Sequence, residues 1–404
     1  MIILGIESSC DDTSVALVEA EAPTSPAFGH LSSGRRGSFE ILAEKTASQI
    51  EVHKKYGGVV PEIAGRCHAE NILPLIEEVM NHLTPNPSPC KVEGKLRPDV
   101  IAVTSGPGLI TGLMVGVEVA KTLSYLWNVP IVSVNHIEGH IHSVEVQSPK
   151  VHKVESHEYP ISNIPASSAG RQYPALALVA SGGHTELILM NKQGEYQRIG
   201  ATKDDAAGEC FDKVAKLLGF DYPGGPKISQ FAETGNPQAI RFPRPMLKED
   251  NLDFSFAGLK TSALYWLRDH QLSAMQISPM QQPAGIFGVQ KEGVTINDFC
   301  ASFEQAIIDV LVGKTLKAVE KYQPKTVILG GGVAANKKLR ETLTVTIQQH
   351  AKISNIQYPI SNYCMDNAAM IAIAGYYKAI RQDFTSWDKL TADPNWEISK
   401  IIRN

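Results

Sequence analysis

The 404-residue sequence has few cysteines and none of them forms a CxxC pair. Scattered cysteines argue against a zinc ribbon or a disulfide framework. The six are Cys10, Cys67, Cys90, Cys210, Cys300 and Cys364. No apolar run approaches the roughly 18 residues that a membrane span needs, and no basic leader precedes the apolar N-terminus. We therefore expect a soluble, cytoplasmic protein with no membrane partner.

The sequence also lacks an excess of basic residues. Lys and Arg number 38 against 42 Asp and Glu, a formal net charge of −4. Proteins that hold nucleic acid unaided are usually basic, so any such binding needs a local patch or a partner protein. A solvated surface is the common role of a short basic cluster. Three such clusters are present, at Lys54-Lys55, at Arg241, Arg244 and Lys248, and at Lys337, Lys338 and Arg340.

Two parts of the chain repeat one plan. The patterns of residues 2–19 and 175–190 each predict a strand, a short turn and a second strand. The patterns of 98–126 and of the chain from 325 onwards each predict a strand, a glycine turn and a helix. The second of these helices is predicted to start near Ala335. Glycine turns at a helix start let backbone N–H groups approach an anion. The repetition favours a duplicated α/β fold with a cleft between two lobes, although any α/β protein has hairpins and glycine turns.

We predict an N-terminal lobe over 1–145, a linker or insertion over 146–171 and a C-terminal lobe over 172–404. The last helix, near 365–380, is the one that can pack back on the first lobe. Stretches rich in Pro, Ser and Asn are predicted to be surface insertions. They cover 21–37, 84–96, 147–171, 276–293 and 349–362.

The sharpest motif is Asn135-His136-Ile137-Glu138-Gly139-His140. Asn135 is a good helix N-cap, so both histidines would lie on one helix face, as one metal ion requires. Two surface histidines are the alternative, and the more frequent one for an isolated HxxxH. A helix-borne metalloprotease places Glu directly after the first histidine, whereas Ile137 stands there.

Asp366 is the candidate third ligand, and its alternative role is to cap the Ala-rich helix that follows. Two histidines and one carboxylate are typical of iron(II) or zinc with positions left open for substrate. Other polar or glycine-rich sites carry weaker signals, each with a plain alternative as a tight turn or a solvated residue. They are Asp11 and Asp12, the turn Ser181-Gly182-Gly183, Asp212, Gly224-Gly225, and Asn336 after Gly330–Gly332.

Taken together, nine ordered strings between Ile2 and Ala374 resemble the TsaD family of tRNA threonylcarbamoyladenosine transferases, formerly described as O-sialoglycoprotein endopeptidases. They cover well over half the chain. The strings are GIESSCDDTSVALVE, HKKYGGVVPEIAGRCHAENILPLI, VTSGPGLITGLMVGVEVAKTLS, NHIEGHIHS, LVASGGHTELI, DDAAGECFDKVAKLLGFDYPGGPKIS, DFSFAGLKTS, VILGGGVAANKKLR and NYCMDNAAMIA.

The resemblance implies the duplicated two-lobe fold shared by actin, Hsp70 and hexokinase (the ASKHA fold). It implies transfer of a threonylcarbamoyl group from threonylcarbamoyl-AMP to N6 of the adenosine just 3′ of the anticodon, in tRNAs that read codons beginning with adenine. It also implies a paralogous TsaB-like subunit, docked on an exposed apolar helical face of the first lobe, and a small TsaE-like ATPase.

Carried over by motif, His136, His140 and Asp366 correspond to the metal ligands, usually for one Fe(2+) per subunit and sometimes Zn(2+). Asp11 matches an N-terminal acid implicated in activity. The substrate-binding positions correspond to Val179, Ala180, Ser181, Gly182, Gly183, Asp212, Gly225 and Asn336. Two positions depart from the pattern: Ser229 stands where some relatives carry an acid, and Asn135 stands where bacterial relatives often have a further histidine.

Three other functions fit parts of the pattern. A metal-dependent glycoprotein endopeptidase fits HxxxH, but Ile137 replaces the adjacent Glu. An ATP-dependent small-molecule kinase fits the lobes and glycine turns but leaves the two histidines and Asp366 unexplained. A non-enzymatic nucleotide-driven module, similar to a chaperone ATPase domain, is the third.

Overall fold

Runs of Ile, Val, Leu and Ala build two five-stranded sheets in this computed structural model. The structure describes residues 1–21, 38–81, 97–146, 170–270 and 293–399. The central strands are buried along almost their whole length. Such continuous apolar strands are typical of a sheet that is covered on both faces.

The first sheet has the strand order β3-β2-β1-β4-β5. Its strands are β1 (Ile2–Glu7), β2 (Asp12–Glu21), β3 (Ser38–Ser48), β4 (Val100–Gly106) and β5 (Ile131–Asn135). β1, β2 and β3 pair antiparallel, whereas β4 pairs parallel with both β1 and β5.

The second sheet has the order β10-β9-β6-β7-β8. Its strands are β6 (Ala175–Ala180), β7 (Thr185–Lys192), β8 (Glu195–Ala201), β9 (Thr326–Gly330) and β10 (Ile356–Gln357). Pairing again changes from antiparallel at β6, β7 and β8 to parallel at β9 and β10. Because the strand order and the pairing repeat, the predicted duplicated α/β fold is confirmed.

Helices cover the sheets. They are α1 (Ile50–Lys54), α2 (Pro61–Asn81), α3 (Ile110–Trp127), α4 (His136–His142), α5 (Ala207–Leu217), α6 (Gly225–Ala232), α7 (Ala257–Asp269), α8 (Ile296–Tyr322), α9 (Lys337–Ala351) and α10 (Ala368–Ala379). Short 3₁₀ turns span Ser143–Glu145, Gly332–Ala335 and Ser361–Tyr363. Across the described ranges, no helix is long and apolar enough to cross a membrane.

α10 follows the second sheet in the chain but packs on the first. Its apolar residues share one core with β1, β2 and β4, while α2 and α3 form a separate core on Leu4 and Ile6 of β1. Gly375 permits the close approach, because a Cβ there would lie 2.3 Å from the Cβ of Ala102 in β4. This packing carries the residues just before α10 to the end of β5.

The prediction of a surface insertion over 349–362 is wrong. That segment ends α9 and supplies β10, an edge strand in which Ile356 and Gln357 are buried. The helix after the second glycine turn begins at Lys337, about two residues after the predicted start near Ala335, because Gly332–Ala335 first form a 3₁₀ turn. The other four predicted insertions lie outside the described residues apart from Glu21, Gly170, Arg171 and Gly293, of which Arg171 is buried.

Candidate active site

α4 brings the two motif histidines together. Asn135 ends β5, and its Oδ1 accepts a hydrogen bond of 2.9 Å from Ile137 N, which caps the helix as predicted. One helical turn then separates His136 and His140, whose ring centroids lie 4.6 Å apart. Both side chains are buried, so the alternative of two surface histidines is wrong.

Asp366 lies directly before α10 and faces these rings. Asn367 caps the helix instead, accepting a 2.9 Å hydrogen bond from Met370 N, so the N-cap alternative for Asp366 is wrong. Its Oδ1 lies 3.4 Å from Nε2 of His136 and 3.3 Å from Nε2 of His140. One carboxylate oxygen therefore meets the same nitrogen of both rings.

These three side chains fit a metal ion. One ligand atom from each lies within 4.8 Å of the others. Both ring nitrogens of His140 are buried without a hydrogen bond among the described residues, the 3.3 Å approach to Asp366 being an ion-pair distance only. Buried polar atoms normally have partners, and a cation would supply one to the Nε2 atoms. The cluster is therefore a candidate metal site.

Glu7, which the sequence analysis missed, holds His136 from behind. Its Oε2 lies 3.1 Å from His136 Nδ1 and accepts a 2.7 Å hydrogen bond from Thr104 Oγ1. Its Oε1 accepts from Ser9 N at 2.6 Å. A carboxylate on one ring nitrogen directs the other toward a metal. The available signal was an acid inside the apolar run IILGIE of β1.

The two histidines of this cluster have pKa values shifted in opposite directions. Burial lowers the pKa of His136, but the charges of Asp366 and Glu7 outweigh it and raise this pKa to about 9. Burial and the charged His136 lower the pKa of His140, which stays neutral and able to bind a metal. The half-buried His184 lies nearby, its ring centroid 6.4 Å from that of His136, and desolvation together with the charge of His136 lowers its pKa to about 3.

The predicted substrate turn follows β6, whose last two residues are the buried Val179 and Ala180. Ser181 closes the turn, because its backbone N–H donates to His184 O at 2.8 Å and its Oγ accepts from His184 N at 3.1 Å. A Cβ built on Gly182 or Gly183 would meet no atom within 4 Å. Their backbone is therefore open to a ligand.

Asp212 is not a solvated helix residue. From α5, its Oδ1 accepts hydrogen bonds from Gly224 N at 2.7 Å and Gly225 N at 3.3 Å. Burial raises its pKa despite these bonds. The carboxylate therefore ties α5 to the first turn of α6.

Asn336 caps α9, since its Oδ1 accepts a 2.8 Å hydrogen bond from Leu339 N. Its Nδ2 donates to Glu304 Oε1 on α8 at 2.6 Å and to Ser229 Oγ on α6 at 2.9 Å. Glu304 was also missed by the sequence analysis. The available signal was an acid among Phe299, Phe303 and Ile307, apolar residues with the spacing of one helix face.

Asp11 lies in the turn between β1 and β2. Tyr222 Oη, from the loop between α5 and α6, donates to Asp11 Oδ2 at 3.0 Å. Its neighbour Asp12 is buried, one of its oxygens has no hydrogen bond among the described residues, and burial raises its pKa to about 7. The first hairpin thus meets the second half of the chain through a side-chain contact.

The basic clusters present less positive charge at the surface than the sequence suggests. Arg340 is buried and donates to the backbone oxygens of Ala334 and Pro359, so it is not a surface cation. Lys54 pairs with Asp221 at 3.2 Å, and Arg244 pairs with Asp309 at 2.8 Å.

Solved structures with this arrangement include two of HypF. The full-length protein in its phosphate- and nucleotide-bound form has a TM-score of 0.50 at 12% identity, covering 96% of this chain and 47% of that one. The T. kodakarensis protein has a TM-score of 0.51 at 13% identity, covering 96% and 50%. At such identity the likeness concerns the fold alone, and it agrees with the predicted two-lobe class.

Sequence comparison is more specific. The family model described as TsaD, tRNA N6-adenosine threonylcarbamoyltransferase, matches residues 40–154 and 149–373. A protein of that name from Anaeromyxobacter dehalogenans (strain 2CP-C) is 39% identical over 98% of this chain and 99% of its own length. One from Bacillus subtilis (strain 168) is 41% identical over 94% and 92%. The chain therefore belongs to the TsaD family of tRNA N6-adenosine threonylcarbamoyltransferases.

Proposed function

We propose that this chain transfers the threonylcarbamoyl group of threonylcarbamoyl-AMP to N6 of the adenosine 3′-adjacent to the anticodon, in tRNAs that read codons beginning with adenine. The observation that carries the proposal is the convergence of His136, His140 and Asp366 in a chain that matches the named relatives over nearly its whole length. We further propose that the reaction occurs in the cytoplasm and that the lobes divide at 146–171.

The metal site is proposed to hold one Fe(2+), with Zn(2+) as the alternative, through His136, His140 and Asp366. A bound divalent ion with open positions supplies Lewis-acid polarisation of a carbonyl or phosphate oxygen. Glu7 fixes the ring of His136 through Nδ1 at 3.1 Å. The chain's own contribution here is therefore to orient the donor.

The AMP half of the donor is proposed to bind the backbone of Val179–Gly183 together with Asp212, Gly225 and Asn336. The open sides of Gly182 and Gly183 support this assignment. The acceptor amine is a poor nucleophile, whereas the donor carbonyl is already activated by AMP. Positioning and stabilisation of developing charge should therefore supply most of the rate enhancement.

Asp11 is proposed as the catalytic carboxylate. Its Oδ2 accepts one hydrogen bond, from Tyr222, and a carboxylate has further acceptor sites for the attacking amine. The contact with Tyr222 holds the carboxylate at the meeting point of the two halves of the chain.

Partners are proposed because a net charge of −4 gives this chain little attraction for tRNA. A paralogous TsaB-like subunit would cover the exposed apolar residues of α2 and α3. They include Leu73, Ile110 and Met114, which are 59%, 42% and 53% exposed, and Tyr125 and Leu126 at the other end of α3. A TsaE-like ATPase would act with that pair.

The endopeptidase function is not favoured. Ile137 occupies the position of the metalloprotease base and is 1% exposed. The next acid, Glu138, accepts a 3.0 Å hydrogen bond from Tyr196 Oη of β8.

Reconstitution tests the proposal. The purified chain with its two partners, threonylcarbamoyl-AMP and unmodified tRNA should form the modified nucleoside. His140→Ala and Asp366→Asn should lose both the bound metal, measured by elemental analysis, and the product. His350→Ala, at an exposed histidine of α9, is the matched control. Wild type that carries metal and forms no product would refute the proposed function.

A further inference from the structure

A buried carboxylate on α8 contacts a proposed nucleotide-binding residue. Glu304 is 3% exposed, and its Oε1 accepts a 2.6 Å hydrogen bond from Asn336 Nδ2. The same nitrogen donates to Ser229 Oγ at 2.9 Å. Burying a carboxylate is costly unless it is hydrogen-bonded, so this contact on three helices needs an explanation.

The hydrogen-bonding capacity of the Asn336 side chain explains this contact. An asparagine amide has two N–H donors and a carbonyl oxygen with two acceptor sites. Glu304 and Ser229 take both donors, and Leu339 N takes one acceptor site at 2.8 Å. One acceptor site of Oδ1 is left. Burial raises the pKa of Glu304 despite its hydrogen bonds to Ser229 and Asn336. In its ionised form the carboxylate only accepts, so Glu304 acts together with the donating N–H of Leu339 against the flipped amide, in which an oxygen would face an oxygen.

The cluster is joined to the other proposed nucleotide contacts. Gly331 has φ +86°, and a Cβ there would lie 2.3 Å from Ala180 O at the end of β6. Asp212 binds the first turn of α6, the helix that carries Ser229. Asn336 and Ser229 are half-buried whereas Glu304 is buried. Glu304 therefore lies behind the residues that a ligand could touch.

We propose that Glu304 is a positioning residue that locks the Asn336 amide so that Oδ1 accepts a hydrogen bond from the nucleotide half of the donor. The carboxylate of this cluster is that of Glu304, and Ser229 contributes a hydroxyl. The inference rests on the proposed function, because it assumes that Asn336 binds the nucleotide.

Binding of AMP, measured by calorimetry on the full chain, tests the inference. Glu304→Leu removes the acceptor and should weaken AMP binding about tenfold, the usual loss for a hydrogen bond to a charged group. Glu304→Gln can still accept from Nδ2 and should stay within about threefold of wild type. Glu320→Gln, at an exposed acid of the same helix, should change nothing.

A double-mutant cycle separates positioning from a general packing effect. Asn336→Ser keeps a side chain able to cap α9 but has no amide. Glu304→Leu should then cause no further loss of AMP affinity in the Asn336→Ser background. Three outcomes would overturn the inference. They are an equal loss of AMP affinity in both backgrounds, an unchanged AMP affinity of Glu304→Leu, and a wild-type protein that does not bind AMP. If Glu304→Leu does not fold, Glu304→Ala takes its place in the cycle with the same expected losses of AMP affinity, and an equal loss in both backgrounds again overturns the inference.

The proposed function and the proposed role of Glu304 can be refuted independently of each other. Non-additive AMP binding without threonylcarbamoyl transfer in the reconstituted system refutes the proposed function alone. Transfer by wild type with an additive cycle refutes the role of Glu304 alone.

Discussion

Two residues of the candidate site, His136 and Asn336, each contact a buried carboxylate. His136 directs Nε2 toward Asp366 while Nδ1 meets Glu7. Asn336 is held by Glu304 in the same way. Such supporting groups affect binding through the geometry of their neighbours.

Replacing Glu7 by Gln tests this support at the metal site. The variant keeps the shape of the side chain but loses the negative charge of the carboxylate that contacts His136 Nδ1. The affinity for the metal should therefore fall by about 10- to 100-fold. Competition with a chelator measures the change. Glu19→Gln, at an exposed acid of β2, serves as the control, and equal affinities of the Glu7 variant and wild type would contradict the expected role.

At the scale of the element, α4 has only seven residues and would not be stable alone. A buried network holds its C-terminal end. Arg171 Nη2 donates to Ile141 O at 2.9 Å and pairs with Glu145 Oε1 at 2.9 Å. Tyr377 Oη of α10 donates to Glu145 Oε2 at 2.6 Å. The network thus joins the helix of the histidines to the helix that follows Asp366.

Glu145→Gln should lower the free energy of unfolding at pH 7 by on the order of 3–5 kcal/mol, because it leaves the buried Arg171 without its counter-charge. In wild type, burial raises the pKa of Glu145, but Arg171 and His142 outweigh it and lower this pKa from 4.5 to about 2. Its contribution is therefore complete above pH 4.5 and is lost as the pH falls through 2.

The stability difference between wild type and Glu145→Gln should accordingly shrink from pH 4.5 to pH 2. Urea unfolding of both proteins across this range measures it. Glu195→Gln, at an exposed acid of β8, is the control. A difference that stays constant with pH would rule out the charge of Glu145 as the cause.

In the whole molecule, α10 joins the two halves of the chain. It follows the second sheet in sequence yet packs on the first, and this packing places Asp366 against α4. The position of a candidate metal ligand therefore depends on a helix–sheet contact outside the site.

Gly375→Ala should disturb this contact. A Cβ at Gly375 would lie 2.3 Å from the Cβ of Ala102 and 3.2 Å from Val132 Cγ2, so we expect a loss of about 1–3 kcal/mol of stability and weaker metal binding. Thermal unfolding and chelator competition measure the two effects. Gly258→Ala in α7 is the matched control, because its Cβ would meet only Pro245 Cγ at 3.9 Å. Equal effects of the two substitutions would contradict this account.

Local pattern alone determined much of this protein. Apolar runs and turn residues predicted the repeated hairpins, and Asn135 with the spacing of His136 and His140 predicted a capped helix with both rings on one face. These features depend on neighbours in the chain, where propensity and periodicity act directly.

Only the tertiary structure decided the rest. Contacts between distant segments place Glu7 against His136 and Glu304 against Asn336. They also make 349–362 the source of an edge strand. The folded chain likewise makes Asn367, and not Asp366, the cap of α10. The physical reason is that a polar side chain in an apolar run has no visible partner until folding brings one within hydrogen-bond distance.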